Sequence, residues 1–175
     1  MAVLSYILSA LAFVCVVVAS LLKGKNMKSI LLLVFCGNFL FATGYLAGGS
    51  GINGAASCYL GGVTAIINYF FDAKGKAIPK WLTAIYGVAF ILINIWVGGL
   101  NLLVVLAILA TLCFVMCIGQ ANGKRFRFWT ALNLVLWCTY DVLTASYGSL
   151  LAHIGQLTFN VTGMVIHDRK QHSKT

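Results

Sequence analysis

The chain is poor in charge, and its acids number only three. Charged residues make up 9% of the sequence, against about 25% in soluble globular domains. That shortage of polar surface excludes a water-soluble globular fold. The formal net charge of +9 would point to nucleic acid in a soluble protein. Here the basic residues sit in short clusters between apolar runs about one bilayer long, so the charge reads as topological and no nucleic-acid partner is expected. Proline is nearly absent, with Pro79 alone and in a loop. Six cysteines are present, yet there is no CxxC pair and no histidine at ligand spacing. This excludes a metal centre, and with all six inside apolar runs they read as small packing residues. No HExxH, no GxSxG and no pair of acids within the spans is found, which argues against an enzyme. The lack of a Walker A sequence argues against ATP-driven pumping, and no cofactor is implied. No basic residue precedes the first apolar run and Lys23 and Lys25 follow it, the reverse of a signal peptide, so that run is expected to remain as a span.

What the chain has is hydrophobic sequence, 61% of it, in runs long enough to cross hydrocarbon. Backbone left unpaired there is costly, so the runs are expected to be helices. They fall near Leu4–Leu22, Ser29–Ala47, Ile52–Phe71, Trp81–Val97, Leu100–Ile118, Phe128–Tyr147 and Leu150–Ile166. The stretch from Trp81 to Asn122 is about twice one crossing in length and is interrupted by Gly98-Gly99, so it is read as two spans. Lys and Arg form four groups, around Lys23–Lys28, Lys74–Lys80, Lys124–Arg127 and Arg169–Lys174. Seven spans place all four groups on one face, and six would not. The positive-inside rule then sets the amino terminus outside and the carboxyl terminus in the cytoplasm of a bacterial-type inner membrane.

Laying residues 24–74 over 123–173 without a gap superposes basic loop on basic loop and Gly-Ser turn on Gly-Ser turn. Gly24/Gly123, Lys25/Lys124, Leu33/Leu132, Gly49/Gly148, Ser50/Ser149 and Ile67/Ile166 are identical across the two. Two triple-helix units point the same way only when an odd number of spans separates them, which the fourth span supplies. The expected architecture is therefore an all-α membrane domain of two parallel three-helix repeats, residues 1–73 and 99–168. A linker helix at 81–98 joins them and a tail at 169–175 follows. Parallel repeats of this kind are a transporter plan, with the substrate held between the units near the bilayer midplane.

The last span carries His153, Gln156, Asn160, Gly163 and His167 at spacings of three and four, which put them on one helical face. The equivalent face of the third span carries Gly54, Ser57, Gly61, Thr64 and Asn68. The sixth span adds Asn133, Trp137, Tyr140, Asp141 and Thr144, and the second offers Asn38, Phe41 and Tyr45. Apart from the histidines, Asp141 is the only ionisable residue well inside a span. An acid there is expensive and is a functional candidate. Asn160 can donate and accept without charge, which suits a hydroxyl- or amide-bearing ligand, and interhelical bonding is its alternative role. Trp137 can stack on a planar or sugar-like ligand or simply pack. The candidate substrate contacts are thus Asn160, Gln156, His153, Trp137, Tyr140, Asp141, Ser57, Gly61, Thr64 and Asn38.

The segment from Trp137 to Lys170 carries Trp-x-x-Tyr-Asp, Gly148-Ser149, Asn160 and a terminal basic cluster, and Gly54-Ala55-Ala56 opens the third span. On these residues the chain resembles the YgjV-like bacterial inner-membrane proteins. By its three-one-three plan that family looks like a distant relative of the SWEET sugar transporters and the Pnu-type vitamin transporters. The resemblance implies a central site passing a small metabolite by alternating access, with Ser57, Gly61 and Asn160 at the matching positions. The chain departs from those families in lacking their Pro-Gln motif, of which Gly119-Gln120 is the nearest echo. The function expected is therefore a small-solute transporter or facilitator for an uncharged or weakly charged metabolite such as a sugar, nucleoside or vitamin, working in the bilayer and open to homo-oligomer formation. The rival from another class is a non-transporting membrane protein, a sensor or assembly partner, whose polar stripe only fixes helix packing.

Overall fold

A computed structural model of the protein describes residues 2–22, 27–49, 51–118 and 123–172. These residues form seven α-helices and no strand: α1 (Ala2–Leu21), α2 (Met27–Gly48), α3 (Ile52–Ala73), α4 (Lys80–Gly98), α5 (Leu102–Ile118), α6 (Gly123–Leu143) and α7 (Tyr147–His172). Lys23, Lys25, Ser50, Lys174 and the Gly119-Gln120 pair lie outside the described residues, as do the side chains of Ile166, His167, Arg169 and Lys170.

The breaks between helices follow from local chemistry. Gly49 and Gly51, at φ 68° and 72°, turn the chain between α2 and α3 through the left-handed region that glycine tolerates. Gly99, at φ 69°, does the same after α4 and donates its N–H to the Ile95 carbonyl at 2.8 Å. Asn101 then starts α5, its Oδ1 accepting from the Val104 N–H at 3.1 Å as an N-cap. The sixth helix departs from expectation at both ends. It begins at Gly123 rather than Phe128, because the basic run is itself helical and extends the helix past the apolar segment. It ends at Leu143 rather than Tyr147, because Thr144 and Ala145 turn the chain. Ala145 adopts φ 52°, and the Ser146 N–H folds back onto the Asp141 carbonyl at 2.9 Å.

Each helix packs on its neighbours in sequence, and α1 meets α7, so that the bundle closes into a ring. Inside the ring α3 also touches α5 and α2 touches α7. The main core gathers Ala12 and Val16 of α1, Phe41, Ala42 and Tyr45 of α2, and Ala55 and Cys58 of α3. It is completed by Ala107 and Ala110 of α5, Trp137 and Tyr140 of α6, and Ala152 of α7. Tyr86, Phe90 and Val115 make a second cluster where α4 meets α5. The polarity of the bundle is inverted relative to a soluble protein. Asn68, Asn94, Asp141 and His153 are buried, while Val3, Ile7, Leu11 and Val14 of α1 and Ile85, Val88, Leu92 and Trp96 of α4 face outward. Three helices, spanning Lys28–Gly48, Ile52–Ala73 and Lys80–Gly98, are long and apolar enough to cross a membrane.

Candidate functional site

The most polar part of the interior is built where α2, α6 and α7 meet. One turn of α6 places Trp137, Tyr140 and Asp141 on its inward face, and Asp141 is fully buried. A lone carboxylate there would be costly, and two partners from other helices offset the cost. The Tyr45 phenol of α2 donates to Asp141 Oδ1. His153 Nδ1 of α7 lies 2.7 Å from Asp141 Oδ2. The imidazole is itself held between rings, stacked on Phe41 at 4.9 Å between centroids and on Trp137 at 6.1 Å, with interplanar angles of 27° and 22°. Trp137 in turn stands edge-on to Tyr140 at 5.3 Å.

Tyr140 links this group to α3. The first turn of α3 has no side-chain cap of its own, and the Gly54 N–H donates instead to the Tyr140 hydroxyl at 3.1 Å. The close approach requires glycine. A Cβ on Gly54 would lie 3.0–3.1 Å from three atoms of the Tyr45 ring.

A cavity of about 90 Å³ opens beside the cluster, at the end of the bundle that carries the α2–α3 and α6–α7 turns. It is lined by Ser5, Tyr45, Ser146 and Ser149 among others, so the ring that binds Asp141 forms part of its wall.

Of the residues expected to touch a ligand, the structure brings Trp137, Tyr140, Asp141 and His153 together and distributes the others along the bundle. Ser57 bonds to Asn94 of α4, at 3.1 Å to Oδ1 and 3.0 Å from Nδ2. Asn53 Nδ2 donates to the Asn94 carbonyl at 2.8 Å. Asn38 donates to the Val34 carbonyl of its own helix at 2.9 Å, and its Oδ1 would lie 3.0 Å from a Cβ placed on Gly61. Thr64 donates to the Gly61 carbonyl at 2.8 Å. Asn160 ties α7 to α6 by donating to the Arg127 carbonyl at 2.9 Å. Gln156 is half-buried one turn along α7 from His153.

No protein-family model, curated protein or solved structure matches this chain. The function must be read from the site itself. Among the described residues no three His, Cys, Asp or Glu side chains are grouped to hold a metal ion, and all six cysteines are free thiols.

Two parts of the site went unread in the sequence. Tyr45 was placed on the face of α2 but not assigned to Asp141, because a partner 96 residues away leaves no local signal. Asn94, fully buried in α4, did have one. An amide in the middle of the apolar run Trp81–Val97 must find polar partners, and that alone marks the face of α4 that meets α3.

Proposed function

We propose that the chain crosses a bacterial-type inner membrane seven times and passes a small solute between two parallel triple-helix units, α1–α3 and α5–α7, with α4 as the linker. The observation that carries the reading is the buried Tyr45–Asp141–His153 group, in which one residue of the first unit and two of the second share a carboxylate. A transporter of this plan works by moving one unit against the other around a fixed site. A charged group spanning the seam is what such motion must break and remake. A purely structural seam would be served as well by apolar packing, since replacing a buried ion pair with hydrophobic side chains is often neutral or stabilising.

Three further features support the reading. The outward face is apolar and the interior polar, as lipid requires. Helix contacts also have counterparts under exchange of the units: α1 with α2 matches α5 with α6, α2 with α3 matches α6 with α7, and α1 with α7 matches α5 with α3. Finally, the seven-span count puts every Lys and Arg at one face, with the carboxyl terminus inside. The YgjV-like resemblance and the SWEET- and Pnu-like plan belong to this proposal.

A second reading, a non-transporting membrane protein, is favoured by Asn160 and Ser57, whose polar atoms bond to neighbouring helices. One experiment separates the two. Purified protein is screened by thermal shift against sugars, nucleosides and vitamins, and any stabilising solute is tested for flux in proteoliposomes. Transport predicts a solute that raises the melting temperature and is carried, with both effects lost in Trp137→Ala protein that still folds. Stabilisation and flux absent across all three classes would overturn the transport reading in favour of the second.

A further inference from the structure

We propose that Asp141 and His153 together form a proton-binding site, loaded through Tyr45 from the cavity at the turn-bearing end of the bundle. The proposal extends the transport reading by naming a coupled ion, and rests on it only for what the proton drives.

The geometry gives the pair two states. At 2.7 Å, one hydrogen lies between Asp141 Oδ2 and His153 Nδ1 in both of them. With that hydrogen alone the pair carries one negative charge. A second proton, on the far ring nitrogen or on Oδ1, makes the pair neutral. Phe41 and Trp137 stack on the His153 ring.

The other side chains around the pair are phenols and thiols. Facing Asp141 are Tyr45 of α2, Tyr140 and Cys138 of α6 and Cys58 of α3, besides His153 of α7. Phenols and thiols ordinarily ionise above neutral pH, and imidazole is the side chain whose ordinary charge change falls between pH 5 and 8. From α1 the cavity receives Ser5 and Tyr6.

The route is the Tyr45 hydroxyl. Ser149 and Tyr45 both line the cavity, and Tyr45 donates to Asp141 Oδ1. A proton arriving from the cavity at the Tyr45 oxygen is taken up as the Tyr45 proton moves to Asp141 Oδ1, so the phenol keeps one proton and the pair gains one.

Trp137 provides the readout, because an imidazolium stacked on an indole quenches its fluorescence. The other three tryptophans, Trp81, Trp96 and Trp129, are replaced by Phe in the full chain, and the protein is titrated in nanodiscs. Emission from Trp137 is expected to fall in one step on acidification within about pH 5–8. The step should vanish in His153→Gln protein. Because that variant can fail to fold, the titration is repeated by 15N NMR of histidine-labelled protein carrying His167→Gln and His172→Gln, where the His153 ring nitrogens should shift at the same pH. After a pH jump, Tyr45→Phe should slow the emission change. A His153 signal constant across the range overturns the site, and an unchanged rate in Tyr45→Phe overturns the route. Either failure leaves the transport reading standing. A clear step in protein that moves no solute would remove the transport reading and keep the proton site.

Discussion

Tyr45 and Asp141 stand 96 residues apart in the chain and share a hydrogen bond inside it. The bond joins α2 to α6, and through His153 it reaches α7, so a single carboxylate fixes three helices that sequence order alone would leave to generic packing. Asp141 accepts from a phenol at one oxygen and faces an imidazole at the other, which satisfies both its oxygens. Removing either partner therefore has a different cost from removing the acid.

Tyr45→Phe keeps the ring that packs against Trp137 and Tyr140 and deletes one donor. The expected loss is about 1–2 kcal/mol, at the upper end for intramembrane bonds because the acceptor is a carboxylate. Asp141→Leu strands both Tyr45 and His153, and its cost should be about 3–5 kcal/mol, as for one member of a buried pair. Asp141→Asn, which retains an acceptor, should fall between them. Chemical denaturation of the three variants in one detergent gives the order. An Asp141→Leu protein as stable as Tyr45→Phe would show that the carboxylate does not hold the seam.

The helices were legible because apolar length and glycine breaks act locally. Ile52 begins α3 and Ile118 ends α5 where the runs place them, and Gly98-Gly99 separates α4 from α5. The ends of α6 were not legible. Hydropathy measures an apolar run, whereas the helix includes Lys124 and Arg125 at one end and gives way to a turn at Thr144 and Ala145 at the other. Asp141 and His153 could each be picked out as polar groups in apolar helices. Their pairing, and its extension to Tyr45, depends on how three helices rotate about their axes, which no single-helix periodicity contains. The roles of Asn160 and Ser57 were hidden for the same reason. A polar stripe shows which face turns inward but not whether it meets a ligand or a neighbouring helix.

Charge placement gives the topology prediction. A reporter active only in the cytoplasm should give signal when fused at Thr175 and none when inserted at Gly49, which forms the α2–α3 turn. A periplasm-active reporter should give the reverse. Cytoplasmic signal at Gly49 would invert the assignment of faces and move the cavity beside Tyr45 to the inner side.

Asn94 anchors the linker helix. It meets Ser57 through both ends of its amide and receives Asn53 at its carbonyl oxygen, so Asn94→Leu leaves the Ser57 hydroxyl without its partner in a dry interface. A buried group stranded in this way costs about 1–3 kcal/mol. Thermal melts should show Asn94→Leu destabilised and the double variant Asn94→Leu with Ser57→Ala partly recovered, since the stranded hydroxyl is then gone. No recovery in the double variant would assign the cost to packing of the leucine rather than to the lost bonds.

Two glycines of the same helix should respond to alanine with opposite signs. At Gly62 a Cβ meets Phe35 Cδ2 at 3.5 Å, an ordinary contact. Gly62→Ala removes a poor helix former, which should stabilise α3 by up to about 1 kcal/mol. At Gly54 the Cβ lies 3.0–3.1 Å from Cε1, Cε2 and Cζ of Tyr45. That ring cannot swing aside cheaply, because its hydroxyl is bound to Asp141 and its faces and edges meet Trp137 and Tyr140. Either Tyr45 leaves Asp141 or α3 withdraws and lengthens the Gly54–Tyr140 bond. Overpacking of this kind costs about 1–3 kcal/mol. Gly54→Ala is therefore expected to melt lower and Gly62→Ala higher than the unaltered protein. Gly54→Ala combined with Tyr45→Leu, which exchanges the rigid ring for a flexible side chain, should lose less than the two single changes taken separately. Strict additivity would show that the Tyr45 ring is not what Gly54 accommodates, and the close approach of α2 and α3 would then need another cause.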